Sequence, residues 1–153
     1  MYQKILVPLD GSELAECVLP HVKSIATGCN VQKVVFMRVV EPFHVSGAEL
    51  LVNDKIAKQI DSEIKARAEE YLKRVASQIQ YNGVDVKTEV ATGNAAESLV
   101  DYASKNGVDL IILATHGRSG VKRWVWGSVA DRLIRSASVP VLMVRAPGCV
   151  PSI

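Results

Sequence analysis

Apolar residues in this chain follow two periods that alternate along its length. Lys4 to Leu9 is almost wholly apolar, as a strand buried on both faces of a sheet would be. From Ser12 the period becomes helical, with Leu14, Val18, Val22 and Ile25 at i, i+4, i+8 and i+11. Pro20 falls inside that stretch and removes a backbone hydrogen bond, which predicts a kink or a loosened turn. Val34 to Val40 is a second β-branched run, closed by Glu41-Pro42, and residues 43 to about 53 show no period and predict a loop. Ile56, Ile60, Ile64, Ala68, Leu72, Val75 and Ile79 mark a long helix with a stop at Asn82-Gly83. Val84, Val86, Thr88 and Val90 alternate as a third strand. Asn94 with Glu97 three residues on reads as a capping box, and Asn106-Gly107 closes that helix. Val108 to Ala114 predicts a fourth buried strand, followed by a glycine-bearing loop. A short helix from Gly127-Ser128 to about Arg135 and a last strand from Pro140 to Arg145 complete the pattern.

Strands alternating with helices predict an α/β fold, a doubly wound parallel sheet with helices on both faces. The pattern leaves the strand order open. With 153 residues, no internal repeat and no linker-like segment, the expectation is a single domain over residues 1–153. Eighteen Lys and Arg against sixteen Asp and Glu leave a formal charge of +2, too little for a nucleic-acid or membrane-surface partner. No run approaches the roughly 18 apolar residues of a membrane span, and the first residues lack a signal-peptide core. Cys17, Cys29 and Cys149 are widely spaced without a C-x-x-C, which argues against a disulfide framework or a zinc site. A cytoplasmic location follows as the expectation.

Open parallel sheets bind ligands beyond the carboxyl ends of their strands, where the strand order reverses. Two segments follow strands in this way. In Pro8-Leu9-Asp10-Gly11-Ser12, Asp10 is the first charged residue after the buried run, placed to accept from ribose hydroxyls or hold a metal. The alternative is a turn or helix-cap aspartate beside Gly11. The second segment is Ala114-Thr115-His116-Gly117-Arg118-Ser119-Gly120, running on to Gly127-Ser128-Val129. Its glycines allow close backbone approach, and the helix opened by Gly127-Ser128 offers unpaired N–H groups to a phosphate. Arg118, Lys122 and Arg123 add positive charge. The alternative is a surface loop before an ordinary Ser-capped helix.

The chain has no G-x-x-x-x-G-K-[ST] and no G-x-G-x-x-G, which excludes a P-loop and argues against a dinucleotide site. Gly117-Arg118-Ser119-Gly120 is not a nucleophile elbow, and His116 is better placed to hold the loop or line the phosphate site than to join Asp10 and Ser128 in a triad. His21 and His44 have no partners at metal-ligand spacing. Lys122-Arg123-Trp124-Val125-Trp126 mixes basic and aromatic residues as single-strand nucleic-acid sites do, but one short cluster on a near-neutral chain points instead to packing of the two tryptophans.

Lys4-Ile5-Leu6-Val7-Pro8-Leu9-Asp10-Gly11-Ser12 resembles the opening of the universal stress protein family. So do Ala114-Thr115-His116-Gly117, nine residues, Gly127-Ser128, and the closing Val139-Pro140-Val141-Leu142-Met143-Val144. The resemblance runs over nearly the whole chain and is to the ATP-binding subgroup. It implies a five-stranded sheet of order 3-2-1-4-5, Rossmann-like, with strands one and four side by side. It implies ATP, or ADP or AMP, with Mg²⁺ or Mn²⁺. Asp10 matches the acidic residue near ribose and metal, Val39 the position against adenine, and Gly117 with Gly127-Ser128 the phosphate motif. Ala114 replaces the first glycine of that motif, tolerable where φ is negative. The expected role is a nucleotide-binding regulator of the stress response. The alternatives are a member that binds no nucleotide and works through protein contacts, or a weak ATP hydrolase or phosphotransferase. The resemblance also implies a homodimer through the C-terminal strand, an apolar sheet edge that otherwise needs the tail Cys149 to Ile153 as a shield.

Overall fold

The computed structural model describes residues 2–42, 54–79, 83–115 and 127–145. Five strands, β1 (Lys4–Pro8), β2 (Lys33–Val40), β3 (Asp85–Thr92), β4 (Leu110–Ala114) and β5 (Val141–Val144), form one parallel sheet of order β3-β2-β1-β4-β5. This is the order implied by the family resemblance. The helices are α1 (Glu13–Glu16), α2 (Leu19–Gly28), α3 (Asp54–Gln78), α4 (Ala95–Lys105) and α5 (Ser128–Ser136).

Alternation along the strands divides the core in two. Ile5, Val7, Val34, Phe36 and Ile112 face one way and pack with Val18 and Val22 of the α1–α2 region and Leu72 and Val75 of α3. Leu6, Val35, Met37, Ile111 and Leu113 face the other way, against Leu99 and Ala103 of α4 and Ala130 and Leu133 of α5. Continuous apolar runs in β1, β2 and β4 are thus buried on both sides, whereas β3, an edge strand, alternates between exposed and half-buried residues.

The predicted first helix is two helices. The helical run breaks at Cys17–Val18, and Pro20 lies in the first turn of α2, where its missing N–H has no intrahelical acceptor to lose. The fully buried face is Ala15, Val18, Val22 and Ala26; Ile25 packs half-buried against the same core, and Leu14 is not part of it. Asn94 caps α4, its Oδ1 accepting from the Glu97 N–H at 3.2 Å, but the capping box is only half made, since the Glu97 carboxylate pairs with Arg132 at 3.6 Å. In the long helix the core begins at Ala68. The 25 residues of α3 span about 37 Å, while the 8 residues of β3 span about 26 Å, so the first turns overhang the carboxyl ends of the strands. Ile56 is accordingly 55% exposed.

Leu72→Ala should therefore cost about 2–5 kcal/mol of stability, and Ile56→Ala no more than about 0.5 kcal/mol, by urea unfolding. Equal losses would contradict the division of α3 into a buried and an overhanging part.

Candidate functional site

Where β1 and β4 run side by side and their chains leave toward opposite faces, a cleft of about 380 Å³ opens at the carboxyl end of the sheet. Small-molecule sites span about 300–1,000 Å³. Pro8, Leu9, Asp10, Val39, Ala114, Thr115, Gly127, Ser128 and Val129 all line it, so the two segments singled out in the sequence meet in one place. His116, Gly117, Arg118, Ser119 and Gly120 lie outside the described residues, as do His44, Lys122, Arg123, Trp124, Trp126 and Cys149.

The Asp10 turn follows from local chemistry. Asp10 Oδ1 accepts from the Ser12 N–H at 2.9 Å and from the Ser12 hydroxyl at 2.6 Å, while Ser12 Oγ accepts from the Ala15 N–H at 3.2 Å and caps α1. Asp10 is therefore a turn aspartate as well as a cleft residue. Gly11 makes the bend with φ of +88°, a conformation side chains disfavour. A Cβ there would also lie 2.9 Å from Nη1 of Arg38, whose guanidinium packs beneath the turn.

On the opposite rim the Gly127 N–H donates to the Thr115 carbonyl at 3.1 Å, tying the helix start to the end of β4. Gly127, not Ser128, is the N-cap of α5. The N–H groups of Ser128, Val129 and Ala130 in the first turn are then the donors that helix geometry leaves for a ligand. Ser128 is exposed in that turn rather than serving as the cap, which corrects the Ser-capped alternative. Ala114 has no positive φ, so its replacement of a glycine leaves the backbone unstrained.

The third wall is backbone. The β1–β2 ladder stops at Pro8↔Met37, and the Leu9 N–H closes it on the Met37 carbonyl at 2.9 Å. The Val40 carbonyl points the other way, accepting from the Gly93 N–H at 3.0 Å. Alternation therefore turns the Val39 N–H and C=O to the β1 side, past the last paired residue, into the cleft. Met37, Glu41, Ala95, Leu99, Leu113 and Ala130 also line the cleft and were not among the sequence candidates. Met37 shares the face of Val39, and Glu41 is the first acidic residue beyond its strand, the signal that picked out Asp10. Among the described residues, no three His, Cys, Asp or Glu side chains converge as a metal site.

Behind the Asp10 turn, Tyr71 of α3 is buried between two cations. The guanidinium carbons of Arg38 and Arg74 each lie 5.4 Å from its ring centroid. Burial, the first cause, and then the Glu16 and Asp10 carboxylates push the phenol well above the ordinary tyrosine range, with Arg38 opposing. Although Glu16 lies near, the Tyr71 hydroxyl meets no partner in hydrogen-bond geometry.

A sheet of this order with its cleft over the reversal point is a doubly wound α/β protein of the kind that holds ligands at that position. Residues 1–145 match the universal stress protein family, and the chain belongs to that family. It is 33% identical over 148 residues to a universal stress protein of Methanocaldococcus jannaschii, covering 96% of this chain and 84% of the relative. A second universal stress protein of the same organism is 30% identical, and its solved structure shares the fold with a TM-score of 0.82 over 95% of this chain and 96% of that one. A universal stress protein family protein of Arabidopsis thaliana, solved with AMP bound, shares the fold at 15% identity and a TM-score of 0.64, covering 98% and 96% of the two chains.

The Tyr71 environment has a consequence at high pH. A phenol raised in the folded state contributes stability that is intact below the unfolded value near 10 and is lost as pH rises beyond it. Wild-type stability should fall steeply above about pH 10. Tyr71→Phe should show a flatter alkaline limb and stay within about 1 kcal/mol of wild type at pH 7, because the hydroxyl it removes is unbonded. Denaturant titrations across pH compare the two; parallel alkaline limbs would contradict this account.

Proposed function

We propose that this universal stress protein binds ATP, or ADP or AMP, in the cleft over β1 and β4 and acts as a cytoplasmic regulator of the stress response. The observation that carries the reading is the convergence of three recognition elements in one cleft: the Asp10 turn, the Val39 backbone edge and the first turn of α5. An adenine ring between Pro8 and Val39 meets one donor and one acceptor on Val39, which complement its N1 and 6-amino group. Ribose hydroxyls then fall to Asp10, and phosphates to the N–H groups and hydroxyl of the Ser128 turn, where the helix dipole favours negative charge. The AMP held by the Arabidopsis relative supports the ligand class. Mg²⁺ or Mn²⁺ would enter with the phosphates, since magnesium is commonly held by one or two carboxylates together with phosphate oxygens, and Asp10 supplies one carboxylate. His116, Gly117, Arg118, Ser119 and Gly120 belong to the same proposed site by their place in the motif.

Calorimetry with ATP and Mg²⁺ tests the assignment. Asp10→Asn keeps the Oδ1 acceptor of the turn but removes the charge, and should weaken binding about tenfold. Gly127→Val should abolish measurable binding while preserving the fold: φ is −53° and a Cβ would meet the Thr115 carbonyl at 3.4 Å, but its γ-methyls would crowd the phosphate position. Wild-type affinity in both variants would place the ligand elsewhere.

The same reading includes a homodimer through β5. Among the described residues this strand pairs with β4 on one side and ends the sheet on the other, with Leu142 37% exposed. An apolar edge with open N–H and C=O groups is matched by a second copy of itself about a two-fold axis. Leu142→Lys should shift sedimentation toward monomer at micromolar concentration. Val144 is the wrong place for such a test, because it is buried and in register with Ala114. A wild-type chain that sediments as monomer would rule the dimer out.

A further inference from the structure

Among the described residues the cleft is lined by two acidic side chains, and the proposed function uses Asp10 alone. The other is Glu41, the residue after β2, exposed at the rim. Glu41 lines the cleft together with Met37 and Val39, whose face of the sheet is the one packed by α4 and α5. It also stands two strand spacings, about 10 Å, from β4, whose far side leads into α5. The acidic rim and the electropositive helix start therefore lie at different ends of one cleft.

From this placement we infer that Glu41 sets the base specificity of the cleft, selecting a 6-amino purine over a 6-oxo purine. The inference rests on the nucleotide reading of the same cleft. Along β2 the Val39 N–H precedes its C=O, so a purine that sets N1 on the N–H sets its 6-substituent on the C-terminal side, toward Glu41. An amino group there has two hydrogens. The Val39 carbonyl takes one, and the second faces the side where Glu41, an acceptor without a donor when ionised, stands. A 6-oxo group turns a lone pair toward the same carboxylate and brings an N1–H to the Val39 N–H. Acceptor then meets acceptor, and donor meets donor. Sites that hydrogen-bond a substrate group reject analogues that leave the partner unpaired, and a charged partner strengthens that rejection. The carboxylate also fixes the direction in which the ligand lies, since it repels phosphates from the base end and leaves them the α5 end.

Binding of ATP and of inosine triphosphate, which differ at the purine 6-position, separates this role from a general one. Calorimetry on the full chain would give the ratio of the two dissociation constants for wild type, Glu41→Gln and Glu41→Ala. Wild type should favour ATP. The ratio should fall about tenfold in Glu41→Gln, whose amide accepts from an amino group or donates to an oxo group, with Glu41→Ala in between. The same change should appear with AMP and IMP, because the phosphates take no part in it. Glu41 is exposed, so both variants should melt with wild type. Wild-type ratios in both variants would overturn the role of Glu41 and leave the nucleotide site standing. Failure of wild type to bind either nucleotide would overturn the nucleotide reading and this inference with it.

Discussion

A parallel β-α-β connection turns right-handed, because a right-twisted strand leading into a right-handed helix folds back onto its sheet in that sense. This constraint organises everything else in the chain. Moving from β1 to β2 to β3 carries the sheet outward in one direction and places α1, α2 and α3 on one face. The chain then returns past β1 to lay down β4 and β5 in the opposite direction, and the same handedness puts α4 and α5 on the other face. At the boundary, β1 and β4 are neighbours whose chains depart to opposite sides. The cleft is the space their departure leaves.

Within that space the polar groups available to a ligand are largely main chain. Val39 presents N–H and C=O because β1 is shorter than β2: the ladder ends at Pro8↔Met37 while β2 continues to Val40. The first turn of α5 presents N–H groups because a helix cannot satisfy its own first donors. Both arrangements cost no side-chain entropy and are fixed by the sheet itself. The side chains that join them, Asp10 and Glu41, follow the ends of two adjacent strands.

The end of β2 serves both faces of the sheet at once. Met37 and Val39 look into the cleft, whereas Arg38 between them lies on the α3 face, stacked on Tyr71 and packed under Gly11. The bend that aims Asp10 is thus backed by a cation and an aromatic ring on the far side of the sheet. A glycine at position 11 satisfies two demands, positive φ and room for a guanidinium.

Element type and the residues that follow each strand were legible in the sequence, because burial on both faces, helical period and the Asn94 cap are local properties of neighbouring residues. Asp10 and Gly127-Ser128 could be picked out for that reason, and Glu41 could have been by the same rule. What lies opposite an apolar face is not local. The pattern showed Ile56, Ile60 and Ile64 in phase with Ala68 and Leu72, but the finite depth of the sheet decided which of them it covers. Likewise, Pro20 announced a break, yet packing against the sheet decided that Ala15 and Ala26 would face inward. The cap of α5 fell to Gly127 once its N–H bonded Thr115 across the fold. The periodicity alone left strand order open, and family resemblance supplied it. Physically it is decided by pairing between segments as distant as Ile5 and Leu110. The sequence by itself determined which segments are strands and which residues end them; tertiary structure decided which ends meet, because hydrogen bonding between strands depends on which backbones come side by side.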